Sequence, residues 1–451
     1  MNLSLKEPIA ILGFGVEGQS AFAFLKAQGL KDITICDKNS NLKAPLSKFR
    51  EGGAEGEFGP HYLKDLSRFK TIIRSPGVPF HTPEIQTAIR LGAHVTSMTW
   101  LTMKMAADRT TAITGSNGKT TTTALTAEIL RRYYGKRLIV GGNDRTPILT
   151  EALHRPADPI LIEASSFQFI DLTISPYISA VLNITPNHLD WHANVEEYVQ
   201  AKNNLIKHQK KEDWAILNME DENTARLAEE VHSQLFTLGQ SMGDNWAIWK
   251  KDQLVVCFDA KVETLLTKKE LQVKTHPINF LCAAAIGVLH QMPLDEIRLA
   301  MINFKGVEHR LEFIREVSGI HFYNDSSCTT PESVLVAIQT FAPEHLILML
   351  GGSSKKADFT ELAQTIVDKK IRVYLYGHEG AQIQKTLSKL GGGNLILAYN
   401  QTRDFRQIVQ DVHKKAKPQD SIVLSPACAS FDMFKNAKER GKLFNEIVKE
   451  L

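Results

Sequence analysis

The chain of 451 residues has few cysteines and no pairing among them. Cys36, Cys257, Cys282, Cys328 and Cys428 are scattered, with no Cys-x-x-Cys spacing. That excludes a disulfide framework and a cysteine zinc site, and it suits a reducing, cytoplasmic setting. Long apolar runs are missing too: no stretch of about 18 apolar residues occurs, so no membrane span is expected. The start, "MNLSLKEPIAILGFG", lacks the basic segment, apolar core and small-residue cleavage site of a secretory signal. No sign of charge dominates. Lys and Arg number 53 against 50 Asp and Glu, interspersed, which argues against a nucleic-acid surface or a polybasic anchor. The basic runs "KHQKK" (207–211) and "HKKAK" (413–417) are expected on solvated helix faces, and low-complexity tracts and short repeats are absent.

What is present is an alternation of short apolar runs with helix-length amphipathic segments, the pattern of an α/β protein with mostly parallel sheets. The length suggests about three domains. Strands are expected at "IAILG" (9–13), "DITICD" (32–37) and "TIIRSPG" (71–77) in a first block that ends near 94–101. A second block offers "TTAIT" before the loop at 114, then "PILIEASS" (159–166) and "SAVLNIT" (179–185). A third, after 303–313, offers "HLILMLGG" (345–352), "RVYLYG" (372–377) and "SIVLSPA" (421–427). In open α/β sheets the ligand crevice lies beyond the carboxyl ends of the strands, so the polar residues there are the candidates for chemistry.

The segment "ITGSNGKTTTT" (113–123) also lacks something. An ordinary P-loop has a glycine, four residues, then Gly-Lys-Ser/Thr; counting back from Gly118 puts Ile113 in the glycine's place, and the glycine stands at Gly115. Gly115 and Gly118 still let backbone N–H groups turn inward, the following helix presents its positive end, Lys119 can reach phosphate oxygens and Thr120 can ligate magnesium. A Gly/Thr-rich helix cap would explain the threonines but not the lysine before them. Upstream, "GFGVEG" (Gly13–Gly18) follows a strand and opens a helix, with Asp37 at the end of the next strand. This is a diphosphate-binding outline that fits NAD, FAD, another nucleotide diphosphate, or a tight turn that binds nothing.

In the second block Glu163 lies just past "PILI", His188 just past "AVLNIT", and Lys202 on the helix that "NVEEYVQAK" begins. Carboxylate and imidazole at adjacent strand ends suit a divalent cation, though such residues also serve as solvated loop ends. His188 and His192 stand four apart, but the Glu of H-E-x-x-H is missing, which weakens a zinc reading.

Together, "TGSNGKTT" (114–121), "EASSFQ" (163–168), "NITPNHLDWH" (183–192), "AKNNLI" (201–206), "GVEHRLEF" (306–313), "NDSSCTTPESV" (324–334), "LGGSSKKADF" (350–359) and "SPACASFDMFKNAKERG" (425–441) resemble the Mur ligase family along the whole chain. Ser-Ser-Phe-Gln, Glu-His-Arg and Ser-Pro-Ala-Cys-Ala-Ser look most like the member that adds D-glutamate to UDP-N-acetylmuramoyl-L-alanine.

The resemblance implies three domains: a Rossmann-like UDP-sugar domain (1–95), a central P-loop-type ATP domain (96–304) and a Rossmann-like amino-acid domain (305–451). It also implies a cytoplasmic monomer that forms an amide through an acyl phosphate, with ATP and two Mg2+ ions. Gly13, Phe14, Gly15, Val16, Glu17, Asp37, Lys38, Gly77, Asn143 and Ser165 would bind the UDP substrate. Gly115, Ser116, Asn117, Gly118, Lys119, Thr120, Thr121, Arg310 and Asp325 would bind ATP. Thr120 and Glu163 would take one metal, and His188 and Lys202 the other, with Lys202 as a carbamate made from carbon dioxide. Lys119, Glu163, His188 and Lys202 would be catalytic, and Thr329, Lys355, Ser430 and Phe431 would hold D-glutamate. Ser327, Asp144-Arg145 and "HPINF" (276–280) depart from the family pattern. The competing readings are another amino-acid-adding Mur ligase, a folylpolyglutamate-synthetase-like ligase, a nicotinamide dehydrogenase built on "GFGVEG", and a non-enzymatic nucleotide-binding protein.

Overall fold

A computed structural model describes residues 5–42, 55–142, 148–185, 191–354 and 357–451. Its contacts divide the chain into two compact units. One is Met1–Leu266 with Phe280–Ala300, and the other is Thr267–Asn279 with Met301–Leu451. The first unit carries two sheets and the second carries one, giving three α/β domains.

The first sheet is parallel, in the order Glu55–Phe58, Ile33–Asp37, Ile9–Leu12, Thr71–Arg74, His94–Ser97. Ile and Thr fill its middle strands because helices cover both faces. Two strands go beyond the three expected. Glu55–Phe58, "EGEF", has no apolar run and sits at an edge, where polar side chains cost little. Its neighbour Ile33–Asp37 is buried on both faces.

The second sheet has nine strands among the described residues. From one edge these are Lys261–Thr267, Gln253–Phe258, Trp246–Lys250, Gln234–Leu238, Trp214–Asn218, Ile178–Val181, Thr110–Thr114, Ile160–Glu163 and Ile139–Gly142. Thr110–Thr114 pairs in parallel with Ile160–Glu163 on one side and Ile178–Val181 on the other. The chain runs out from it to one side, then returns to the other. The loop after Thr114 therefore emerges at a topological switch point, the expected place for a ligand in an open α/β sheet.

Helix Val195–Lys207 crosses beside these strands. Asn194 caps it by accepting from Glu197 N–H at 2.8 Å, and Glu196 and Glu197 in its first turn suit the positive helix end. Lys207, Lys210 and Lys211 of the "KHQKK" run are exposed as expected, but the helix ends at Lys207 and the last two lie beyond it. Gln209, just before Lys210, is buried, donating to the carbonyls of Pro176 and Trp214.

In the second unit a six-stranded sheet runs Glu312–Val317, Ile320–Asn324, Ser421–Leu424, Leu346–Gly351, Arg372–Tyr376, Ile396–Asn400, with only the first pair antiparallel. Leu346–Gly351 is buried along its whole length and ends at Gly351, φ 139°. A Cβ there would lie 1.8 Å from the Tyr376 carbonyl oxygen of the neighbouring strand. Gly351→Ala is therefore expected to destabilise this unit by about 3 kcal/mol or more, through strain and a backbone clash together. Thermal unfolding should show it, and an unchanged melting curve would contradict this account.

Candidate active site

The loop 114–118 is held by the neighbouring strand's extension. Ser116 N–H donates to the Asn183 carbonyl at 2.9 Å, and Ser116 Oγ donates to the Thr185 carbonyl at 3.0 Å and meets Tyr198 Oη at 2.8 Å. Asn183 clamps the loop's tip with both ends of its side-chain amide. Asn117 N–H donates to Asn183 Oδ1 at 2.8 Å, and Asn183 Nδ2 donates to the Asn117 carbonyl at 3.0 Å. Gly118 then takes φ 85°, a left-handed conformation costly for a side-chain-bearing residue, and the helix Lys119–Tyr134 begins. Lys119 Nζ donates to the Gly115 and Ser116 carbonyls at 2.8 and 3.0 Å, so the ammonium lies over the loop. Thr121 is buried on the first turn.

Thr120 and Glu163 are brought together, with Thr120 Oγ1 donating to Glu163 Oε1 at 3.1 Å. Gly142 faces Glu163 from the next strand, where a Cβ would fall 2.1 Å from the Glu163 carbonyl oxygen.

Lys202 is buried at 1% exposure, its Nζ donating to Thr114 Oγ1 at 3.2 Å and lying 4.8 Å from the Tyr198 ring centroid. Loss of hydration pushes its pKa well below the usual lysine value, and the Lys119 charge pushes it further the same way. Thr114 Oγ1 in turn donates to the Ala164 carbonyl at 2.9 Å, linking lysine, loop and the Glu163 strand. His188 lies outside the described residues, as do Asn143, Asp144, Arg145 and Lys355.

His192 is unfit for zinc. Its Nδ1 meets Glu197 Oε1 at 2.9 Å and its Nε2 meets Ser166 Oγ at 2.8 Å, so both ring nitrogens are committed. Burial lowers its pKa, the Glu197 carboxylate opposing. No cluster of three or more His, Cys, Asp or Glu side chains with metal-binding geometry occurs among the described residues. The Thr120–Glu163 pair still suits Mg2+, which beside phosphates commonly uses one or two carboxylates and completes its shell with water and phosphate oxygens.

In the same unit a cavity of about 590 Å³ is lined by Gly13, Gly15, Val16, Glu17, Asp37, Lys38, Gly77 and Ser165, all expected there. Tyr62, Ser75, Gly142, Phe167 and Gln168 line it as well and were not expected. Phe14 instead turns its ring into the core, and its N–H donates to Asp37 Oδ2 at 2.6 Å. The other carboxylate oxygen of Asp37 accepts from Asn39 N–H at 2.8 Å, so Asp37 shapes the loop as well as facing the cavity. Gly18 is required for packing: a Cβ there would lie 2.1 Å from the Gly13 carbonyl oxygen.

In the second unit Asp325 is buried, accepting from Ser425 Oγ at 2.8 Å and Leu311 N–H at 3.3 Å. Burial raises its pKa to about 7, against the Ser425 hydrogen bond and the Arg310 charge. Ser430 is buried, whereas the Phe431 side chain is 72% exposed, with its N–H donating to Ser353 Oγ at 3.0 Å.

Arg440, fully buried, ties two motifs together. Nε donates to Ser326 Oγ at 3.0 Å, Nη2 to the Ser326 carbonyl at 2.9 Å, and Nη1 to the Cys428 and Ala429 carbonyls at 3.3 and 3.4 Å. The departure at Ser327 leaves its N–H donating to the His309 carbonyl at 3.1 Å. In "HPINF", Asn279 donates to Thr275 Oγ1 at 2.7 Å, and Phe280 is core.

Comparison with known proteins follows the same order. The family models described as Mur ligase MurD-like, N-terminal domain; Mur ligase middle domain; and Mur ligase, glutamate ligase domain match residues 7–97, 113–286 and 309–428. The UDP-N-acetylmuramoylalanine–D-glutamate ligase of Symbiobacterium thermophilum is 34% identical over 458 residues, covering 100% of this chain and 99% of the relative. The protein of that name from Caldanaerobacter subterraneus is 34% identical over 462 residues, covering 100% of each.

Among solved structures, a pseudomurein peptide ligase type C from Methanothermus fervidus aligns with a TM-score of 0.59 at 17% identity, over 98% of this chain and 99% of that one. MurF ligase from Thermotoga maritima in complex with ADP aligns with a TM-score of 0.59 at 15% identity, over 99% and 96%. At such identities the likeness is one of fold.

Asn183→Ala removes both side-chain bonds to the loop tip. At roughly 1 kcal/mol per bond, MgATP affinity should fall about 10- to 30-fold by calorimetry. Unaltered affinity would show that the clamp does not shape the nucleotide site.

Proposed function

The chain belongs to the Mur ligase family, and we propose that it joins D-glutamate to UDP-N-acetylmuramoyl-L-alanine, cleaving ATP to ADP and phosphate, in peptidoglycan precursor synthesis. The observation that carries the reading is the convergence of Lys119, Thr120, Glu163 and the buried Lys202 at the carboxyl ends of adjoining strands. Full-length relatives named for this reaction supply the substrates. Residues 1–95, 96–304 and 305–451 are taken as the sugar-nucleotide, ATP and amino-acid domains of a cytoplasmic monomer. The five cysteines, all buried and free, suit a reducing compartment, and no described helix is long and apolar enough to cross a membrane.

The carboxylate of the alanyl group attacks the γ-phosphorus of ATP, forming a C–O–P linkage as the bond to ADP breaks. The amine of D-glutamate then attacks the acyl carbon and phosphate departs. Both steps bring negative groups together, so the main task of the chain is positioning and charge compensation. The loop Gly115–Gly118, whose Ser116 and Asn117 N–H groups are committed to Asn183, shapes the cradle, the first turn of the helix from Lys119 to Thr121 presents its positive end to the phosphates, and Lys119 supplies a cation at the transferred phosphate. Arg310 and Asp325 serve ATP, and Thr329, Lys355, Ser430 and Phe431 serve D-glutamate, with Lys355 as the cation for a substrate carboxylate. Gly13–Glu17, Asp37, Lys38, Gly77, Asn143 and Ser165 hold the sugar nucleotide.

The family uses ATP and Mg2+. Thr120 and Glu163 would hold one ion, and His188 with Lys202 a second; when bound, these ions supply positive charge to the phosphate oxygens. An ammonium cannot ligate a cation. Burial lowers the Lys202 pKa and so favours the neutral amine, which can bond to the carbon of carbon dioxide, releasing a proton and gaining two oxygens that share one negative charge.

Purified protein should release ADP with UDP-N-acetylmuramoyl-L-alanine and D-glutamate, and not with L-glutamate. Turnover with a folate and glutamate instead would overturn the reading. Lys119→Ala should lower turnover about 10³-fold or more, and undiminished ADP release would remove the loop from the chemistry. Lys202→Ala should be inactive and partly rescued by short-chain carboxylates. Full activity with Lys202 unmodified by mass spectrometry would rule out the carbamate.

A further inference from the structure

Glu17 occupies an unusual place for a carboxylate. It stands in the first turn of the helix that follows the glycine loop and lines the 590 Å³ cavity beside Gly13 and Gly15. It also borders a second void of about 30 Å³, where its neighbours include Thr99, Thr102, Ile148 and Leu149. Oε1 accepts one long hydrogen bond, from Gln168 Nε2 at 3.4 Å, and Oε2 is buried without a partner among the described residues. The orientation of Gln168 is set elsewhere, because its Oε1 accepts from Ser165 N–H at 3.0 Å, leaving the NH2 end to face Glu17.

The charges around Glu17 do not favour an anion. Arg74, fully buried, is the nearby cation, but it is already engaged: Nη1 donates to the Val78 carbonyl at 3.0 Å, and Nη2 donates to the Phe167 carbonyl at 3.0 Å and reaches Asp171 Oδ1 at 3.4 Å. Asp171 is itself buried, so one arginine faces two carboxylates. The walls from helices Met98–Ala106 and Ile148–His154 offer threonine hydroxyls and aliphatic groups, with no charge. Across the cavity stand Asp37 and Lys38, one of each sign. Burial raises the Glu17 pKa to about 7, with Arg74 and then Gln168 pulling the other way.

A diphosphate over Gly13 and Gly15 would add like charge within about 7 Å along the chain, two residues from Glu17, and like charge disfavours the ionised carboxylate. We propose that Glu17 meets the sugar nucleotide as a neutral carboxylic acid, so that binding takes up one proton at this side chain. The inference rests on the assignment of the cavity to the sugar nucleotide made above. It makes Glu17 a proton-linked binding residue: below its free pKa the proton is already present, and above it affinity falls about tenfold per pH unit.

The test is calorimetric titration of the full chain with UDP-N-acetylmuramoyl-L-alanine in buffers of different ionisation enthalpy. Neither the pyrophosphate diester nor the alanyl carboxylate of this probe titrates between pH 6 and 9. At pH 8 the wild-type protein should take up about one proton, and its Kd should rise about tenfold between pH 7.5 and 8.5. Glu17→Gln should take up none and bind with a flat pH profile; Glu17→Thr serves the same purpose should the glutamine variant fold poorly. Binding without proton uptake by the wild type, or uptake retained in either variant, which would put the proton on Asp171, overturns the proposal while leaving the cavity assignment intact. No binding by folded wild-type protein at any pH overturns the cavity assignment and the proposal with it.

Discussion

The hydroxyl of Ser116 meets three partners at once, the Thr185 carbonyl, the Thr185 N–H and the Tyr198 hydroxyl, and the course of the phosphate loop depends on that knot. A buried backbone cannot leave its polar groups unpaired. Where a longer loop could satisfy its own amides, this shortened one borrows partners from the extension of the adjacent strand, Asn183 and Thr185. The same Tyr198 carries the ring against which Lys202 packs, and Lys202 donates to Thr114 at the loop's root. Loop, strand extension and the helix Val195–Lys207 are therefore one hydrogen-bonded object. Displacing any part of it would strand buried donors.

That dependence explains which parts of the site could be read from the residues alone. Lys119 and Thr120 announce themselves through the glycine spacing, and the strands at 9–12, 33–37, 110–114, 346–351 and 421–424 through unbroken β-branched and aliphatic runs. Asn183 opens the segment 183–192 that resembles the family, but nothing in that segment assigned it a role. An asparagine after an apolar strand is ordinary loop chemistry, and only the register of Ile178–Val181 against Thr110–Thr114 places it over Asn117. Gln168 and Arg74 were opaque for a related reason: polar residues of these types are usually solvated, and burial has to be seen before their partners matter. The edge strand Glu55–Phe58 carries too little apolar pattern to stand out.

Arg440 repeats the lesson in the second unit. It lies within a stretch quoted as a family motif, yet its work is structural. Five donors in a planar fork reach the Ser326 hydroxyl and carbonyl together with the Cys428 and Ala429 carbonyls, fixing the segment of Asp325 against that of Ser430. A lysine could not span those acceptors. Asp325, whose charge is disfavoured by the same burial, is held by Ser425 from within that frame.

Arg74 has a consequence of another kind. Its guanidinium rises from the first sheet, but two of its partners, the Phe167 carbonyl and Asp171, belong to the chain beyond the Glu163 strand. Severed from them, the arginine would be a buried cation with its compensation gone, a costly state. The first hundred residues are thus not a cassette that recombination could exchange freely between relatives. A crossover that kept the fold would have to carry the 163–171 segment along or replace Arg74 in the same event.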